Sequence, residues 1–153
     1  MENLKIKGTH YLKIVRKNGE IEEWNVDNMV VNGGLGLITA RLQASSSAVA
    51  NYMAVGSGTT AVGASQTTLA TETTDGGLER GTGAVSQQTT TTANDTYQIT
   101  KTWTASGTKT VEEIGVFNDA TAGTMLSRVL TGSRTLYAGD TFTDTYKLVL
   151  VRA

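Results

Sequence analysis

Residues 110–128 read TVEEIGVFNDATAGTMLSR, the strongest hairpin signal in the chain. Val111, Ile114, Val116 and Phe117 make a short apolar run rich in β-branched and aromatic side chains, which suit a pleated, half-buried surface. Residues 118–123 supply turn chemistry, because Asn, Asp and Gly tolerate the backbone angles of a reversal. Met125, Leu126, Val129 and Leu130 then bring the chain back as a second strand. Gly115 lies inside the first strand, where a missing side chain predicts a bulge or a close backbone approach. This hairpin is expected at the centre of a β-sheet core. It carries packing residues and no catalytic set.

Toward the C-terminus the hydrophobic period is two. Strands are expected over 85–92, 96–104, 110–117, 124–131 and 141–152, with turns at Asn94-Asp95 and Ser106-Gly107. Within 96–104, Tyr97, Ile99, Lys101 and Trp103 share one face while Gln98, Thr100, Thr102 and Thr104 share the other. One packed and one polar face is the pattern of an antiparallel sandwich or barrel. Phe142 and Tyr146 share a face of the last strand, and residues 148–151 are apolar on both faces. That predicts cover from a second sheet or a neighbouring subunit.

Toward the N-terminus, residues 9–17 alternate, Asn18-Gly19 follows, and 20–26 alternate again. An Asn-Gly pair between two such runs predicts a type I′ hairpin turn. Charges on both strands suit an edge hairpin that resists unwanted pairing. Residues 1–27 therefore read as a charged β-hairpin arm and 28–153 as a β-rich unit, together one compact domain. The one helical candidate is 28–43, with Asn32 as N-cap and Leu35, Ile38 and Leu42 at helical spacing. Gly33, Gly34 and Gly36 each weaken a helix by about 1 kcal/mol relative to Ala, so its start is expected near Leu35. Residues 51–55 read as a buried strand. Residues 59–83 read as a long loop with one helical turn at 65–70, and loops of that length are usually functional or interfacial. The fold class is mainly β: an antiparallel β-sandwich or barrel with an N-terminal β-hairpin and one short helix.

The composition excludes several chemistries. The chain of 153 residues has no cysteine, which removes disulfides, thiolate zinc sites and thiol catalysis. Thirteen Lys and Arg stand against fourteen Asp and Glu, so no basic stripe points to nucleic acid. Lys5, Lys7, Lys13, Arg16 and Lys17 form a partial cluster, but Glu20, Glu22 and Glu23 follow it, and a solvated hairpin is the favoured reading. No stretch approaches the ~20 apolar residues of a membrane-spanning helix, and the first residues lack an apolar signal core. Synthesis in a cytoplasm is expected. Proline, a common guard of sheet edges, is absent.

Residues 56–61, GSGTTA, follow a strand and imitate a dinucleotide-binding loop, but no helical period follows to hold a pyrophosphate. A tight strand exit is the favoured reading. His10, the one histidine, is expected exposed at a strand end. Glu22-Glu23 and Glu112-Glu113 are adjacent on strands and so point to opposite faces. Asp140 and Asp144 fall on one face, and solvation at the surface is expected for these carboxylates. Trp24, Tyr52, Tyr97 and Trp103 are expected in packing, with a sugar-binding platform as the alternative. No catalytic residue, cofactor site or metal ligand is assigned, and the chain is read as not an enzyme.

Four stretches carry a resemblance. Residues 28–35, NMVVNGGL, resemble an N-L-V-V-N-x-G-L opening, and 52–60, YMAVGSGTT, resemble a Y-x-A-V-G-x-G-T-T strand and loop. LATE at 69–72, with Arg80 beyond, resembles an L-x-x-E…R element. EIGVFN at 113–118 with GTMLSR at 123–128 resembles an E-x-G-L-F-N…G-T-x-L-A-R hairpin. The order, over about 28 to 150, is similar to small tailed-bacteriophage virion proteins described as head decoration, tail-collar or tail-fibre proteins. The resemblance implies a β-rich structural protein in a symmetric homo-oligomer, a trimer favoured. It implies the major capsid protein or other virion proteins as partners and the virion as location. It carries over no catalytic residue. The function expected is capsid decoration, with a tail-fibre or collar component and a glycan-binding module as alternatives.

Overall fold

The computed structural model describes residues 2–152. Among these residues, ten strands form two five-stranded antiparallel sheets, with one helix beside them. The first sheet contains β1 (Leu4–Val15), β2 (Ile21–Asp27), β6 (Ala84–Gln88), β7 (Thr96–Thr104) and β10 (Thr141–Arg152), in the order β2-β1-β10-β7-β6. The second contains β3 (Met29–Val30), β4 (Tyr52–Gly56), β5 (Gly81–Thr82), β8 (Lys109–Phe117) and β9 (Met125–Leu136), in the order β3-β9-β8-β4-β5. The chain is thus mainly β, consistent with a sandwich.

The core lies between the sheets. Leu12, Ile14, Ile99, Trp103, Phe142, Tyr146 and Leu148 from the first sheet meet Met53, Val55, Val111, Ile114, Val116 and Val129 from the second. The first sheet has the expected division, because its other face is polar: Thr100 bonds Thr145 and Thr102 bonds Thr143 across β7 and β10. The second sheet is covered on both faces. Its outer face holds a smaller cluster of Val31, Ala54, Leu69, Phe117 and Met125.

The hairpin of 110–128 sits at the centre of that second sheet, as β8 and β9. Its register shifts between Val111 and Glu113 and again between Val116 and Phe117. The first shift reverses which β8 side chains face inward, whereas the second falls on β9, where Leu126 has no partner in the ladder. Val111, Ile114 and Val116 can therefore all enter the main core while Phe117 turns to the outer cluster. Gly115 is paired regularly with Arg128; its role is close approach, since a Cβ there would lie 2.8 Å from the Phe117 ring and 2.9 Å from Leu69.

Three local expectations need correction. In the first hairpin only Gly19 has positive φ, at 93°, while a type I′ turn needs it at both central residues. The Gly19 N–H donates to the Arg16 carbonyl and the Arg16 N–H to the Glu20 carbonyl, a wider turn. Residues 65–70 form no helical turn. The helix α1 spans Asn32–Gln43, so all three glycines lie inside it, Val31 is the N-cap, and 29–30 form β3 instead. Packing overrides propensity here: Gly34 lies so close to β9 that a Cβ would fall 2.1 Å from the Leu126 carbonyl oxygen. The Asn32 N–H is spent on the Ala64 carbonyl. At the other end Arg41 Nη1 donates to the Ser45 and Ser47 carbonyls at 2.6 Å, closing the chain after the last turn.

Candidate functional site: an apolar groove beside an open sheet edge

The charged residues of the motifs are consumed inside the molecule. Glu113, on the outer face of β8, is fully buried. It accepts the N–H groups of Gly58 at 3.1 Å, Ala70 at 3.0 Å and Thr71 at 2.7 Å, and Arg128 Nε at 2.7 Å. Arg128, also fully buried, donates onward to Gln66 Oε1 at 2.8 Å and to the Thr60 carbonyl at 2.9 Å. This one ion pair fastens the long loop after β4 to the second sheet. It also settles what the glycine-rich loop does. The Gly58 N–H faces the chain's own carboxylate, and a Cβ at Gly58 would sit 2.4 Å from Glu113 Oε1.

Arg80 fastens the other end of that loop. It forms a two-pronged pair with Glu72 at 2.8 and 2.6 Å and donates to the Asp119 and Ala122 carbonyls of the β8–β9 turn. Its guanidinium lies 3.7 Å from the centre of the Phe117 ring. A third knot joins the two hairpin ends: Arg16 binds Glu22 at 2.6 Å, Asp140 at 2.8 Å and the Thr135 carbonyl at 2.7 Å. Burial pushes the Asp140 carboxyl up, but the Tyr137 N–H, the Arg16 guanidinium and the Lys17 N–H outweigh it, and the net direction is down.

The expected surface carboxylates and histidine thus need correction. Glu113, Asp140 and Asp144 are buried, as is His10. The histidine is not at a strand end, because β1 begins at Leu4 and places it mid-strand. Asp140 and Asp144 do not share a site: the first lies in the turn before β10, bound to Arg16, and the second meets His10 between the sheets. The basic cluster is partly neutralised, since Lys13 faces Glu23 at 3.3 Å and Arg16 faces two carboxylates. The aromatics do not assemble a platform. Trp103 is buried with its indole N–H on the Glu79 carbonyl, Tyr97 packs inward on Tyr146, and Trp24 bonds the Thr131 carbonyl. Among the described residues no group of three or more His, Asp or Glu side chains is placed to hold a metal ion.

Apolar side chains also gather in one place at the surface, around a groove that Arg41 lines as well. At one end of the sandwich, this groove of about 370 Å³ lies between α1, which packs on β9, and residues of β6, β7 and β10. Leu37, Ile38, Leu42, Val49, Val85 and Leu150 line most of it. Leu42 is 84% exposed, and Val49, Val85 and Leu150 are each about 40% exposed. Leu4, 65% exposed, continues the same end of the β1–β10 pair beyond Ile6 and Leu150. Exposed apolar groups gathered in this way mark an interaction surface, whereas the same residues scattered singly would mean nothing.

The edge next to this groove is unguarded. β6 pairs with β7 alone, and residues 81–94, GTGAVSQQTTTTAN, contain no charge and no proline. The opposite edge strand, β2, carries Glu22, Glu23 and Asp27, which discourage pairing. The edges of the second sheet, β3 and β5, are only two residues long. The loop after β6 is ordered by Asp95, whose carboxylate accepts the N–H groups of Thr90, Thr91 and Thr92 and is held well below the usual carboxylate range, first by Thr92. No protein-family model matches the chain, and no characterised protein or solved structure matches it. Among the described residues no helix is long and apolar enough to cross a membrane.

Proposed function

We propose that this chain is a non-enzymatic structural protein of a tailed-bacteriophage virion, a capsid decoration (cement) protein that binds the assembled head and stabilises it. The observation that carries the reading is the pairing of an exposed apolar groove with an uncharged, unguarded strand edge. Buried charges hold the fold together, and the surface left over suits contact with another protein. The motif resemblance supplies the virion context, the symmetric homo-oligomer and the major capsid protein as partner. Repetition over a symmetric shell turns small contacts into firm attachment.

The test uses purified protein added to shells that lack it, with shell melting as the readout. A rise in shell melting temperature is expected with the natural chain. The double variant Leu42→Glu, Val85→Glu should give none, while its own unfolding midpoint stays within the shift of about 0.5 kcal/mol usual for surface changes. No binding by the natural chain overturns the reading. Immunogold label over the tail instead of the head would assign the protein to a fibre or collar.

A further inference from the structure

His10 and Asp144 meet inside the sandwich. Nδ1 and Oδ2 are 2.6 Å apart, and both side chains are fully buried. The Tyr146 ring stacks on the imidazole with centroids 4.5 Å apart. The Tyr146 hydroxyl is pushed up to about 12, mainly by burial, with Asn28 and Ser127 facing it. From β7, Tyr97 presents its ring edge-on to Tyr146 at 6.3 Å. From β2, Val26 lies opposite His10. From β9, Ser127 is the inward group, whereas Arg128 beside it turns to the other face and Glu113. Among the described residues Asp144 pairs with no cation except His10, and neither Asp144 Oδ1 nor His10 Nε2 has a hydrogen-bond partner.

A bare carboxylate in such a place is penalised heavily, and burial pushes Asp144 upward. Either arrangement of one proton, imidazolium with carboxylate or imidazole with carboxylic acid, leaves the pair neutral overall. Removing that proton leaves a net negative charge with one donor to meet it.

We propose that His10 and Asp144 form a sealed proton-binding site that keeps one proton in the folded chain through the neutral range, so that closing β1 onto β10 is coupled to proton uptake. The sign follows from proton counts. Above about pH 6.5 an exposed histidine in the unfolded chain has released its proton, so the unfolded pair holds none and the folded pair one. Stability then falls as pH rises, with the unfolding constant growing about tenfold per pH unit until the folded pair gives up its proton. Between about pH 4.5 and 6 both states hold one and the pair contributes no slope. The acid side is less useful, because Asp95 and Asp140, both lowered, also weaken the fold as pH falls.

The experiment is denaturant unfolding of the whole chain from pH 5.5 to 8.5, alongside Asp144→Asn. For the natural chain an increase of about thirtyfold in the unfolding constant is expected between pH 7 and 8.5. Asp144→Asn should lose that slope and become less stable toward pH 5.5, because its buried imidazole then has no counter-charge. If that variant does not fold, the natural chain still decides, since its single histidine gives one imidazole NMR signal. That signal should hold one protonation state from pH 5.5 to 8.5. A flat stability profile over pH 7–8.5, or an imidazole that titrates near 6.5 in the folded chain, overturns the proposal.

Discussion

Replacing Glu113 with Ala should destabilise the chain by about 3–5 kcal/mol, the cost of leaving one member of a buried ion pair uncompensated. For a chain of this size that is a fall of roughly 10 °C in unfolding midpoint. Three backbone N–H groups, those of Gly58, Ala70 and Thr71, lose their acceptor together with the Arg128 guanidinium. The reverse substitution is gentler. Arg128→Met leaves Glu113 with its three backbone donors, while the Gln66 and Thr60 acceptors of Arg128 belong to the loop and can reach water. Glu113→Ala should therefore cost more than Arg128→Met, by at least about 1 kcal/mol. Faster amide exchange at Ala70 and Thr71 in Glu113→Ala would locate the damage in the loop. A loss below about 1 kcal/mol would mean that loop packing through Leu69 holds the segment without the carboxylate.

The sequence shows the strands well because periodicity is local. The segments 96–104 and 141–152 appear as β7 and β10 with the same bounds, and 110–128 becomes the β8–β9 hairpin. Burial of charge is not local. His10 and Asp144 are 134 residues apart, and Arg16 and Asp140 are 124 apart. No window of sequence holds both members. Glu113 had a readable signal: in a hairpin turning at 118–123 it lies diagonally across from Arg128, on the same face, which Gly115 leaves open. The register shifts at Val111 and Val116 obscure it, because strict alternation assigns Val111 and Glu113 to one face. The groove has no local signal. Residues 148–151, apolar on both faces, pointed to a cover, and Leu148 has one while Leu150 lies partly open.

The distribution of charge also bears on the proposed function. Here Glu113, Arg128, His10 and Asp144 are sealed, and Arg80 and Arg16 are spent on carbonyls and carboxylates of their own chain. The accessible end presents Leu42, Val49, Val85 and Leu150. Such a surface gains most by burial against a partner, at roughly 25 cal/mol per Å² of apolar area removed from water.

Two like substitutions in one helix should move stability in opposite directions. Gly36 faces open space, so Gly36→Ala should stabilise α1 by about 0.5–1 kcal/mol through reduced freedom of the unfolded chain. Gly34 stands two residues earlier in the same helix, and propensity alone assigns it the same gain. Its Cβ, however, would lie 2.1 Å from the Leu126 carbonyl oxygen and 2.8 Å from the carbon, both backbone atoms that cannot turn aside. The helix must lift from β9, and overpacking of that kind costs about 1–3 kcal/mol. Steric exclusion exceeds propensity, so Gly34→Ala should be net destabilising. Parallel thermal melts of the two variants check this. Leu37, which α1 contributes to the main core, and Leu126 on β9 both line the groove, so lifting the helix should also change its shape and weaken shell binding. Equal gains from both substitutions would show that α1 is not seated on the Leu126 backbone, and that the groove is bounded by a helix free to shift.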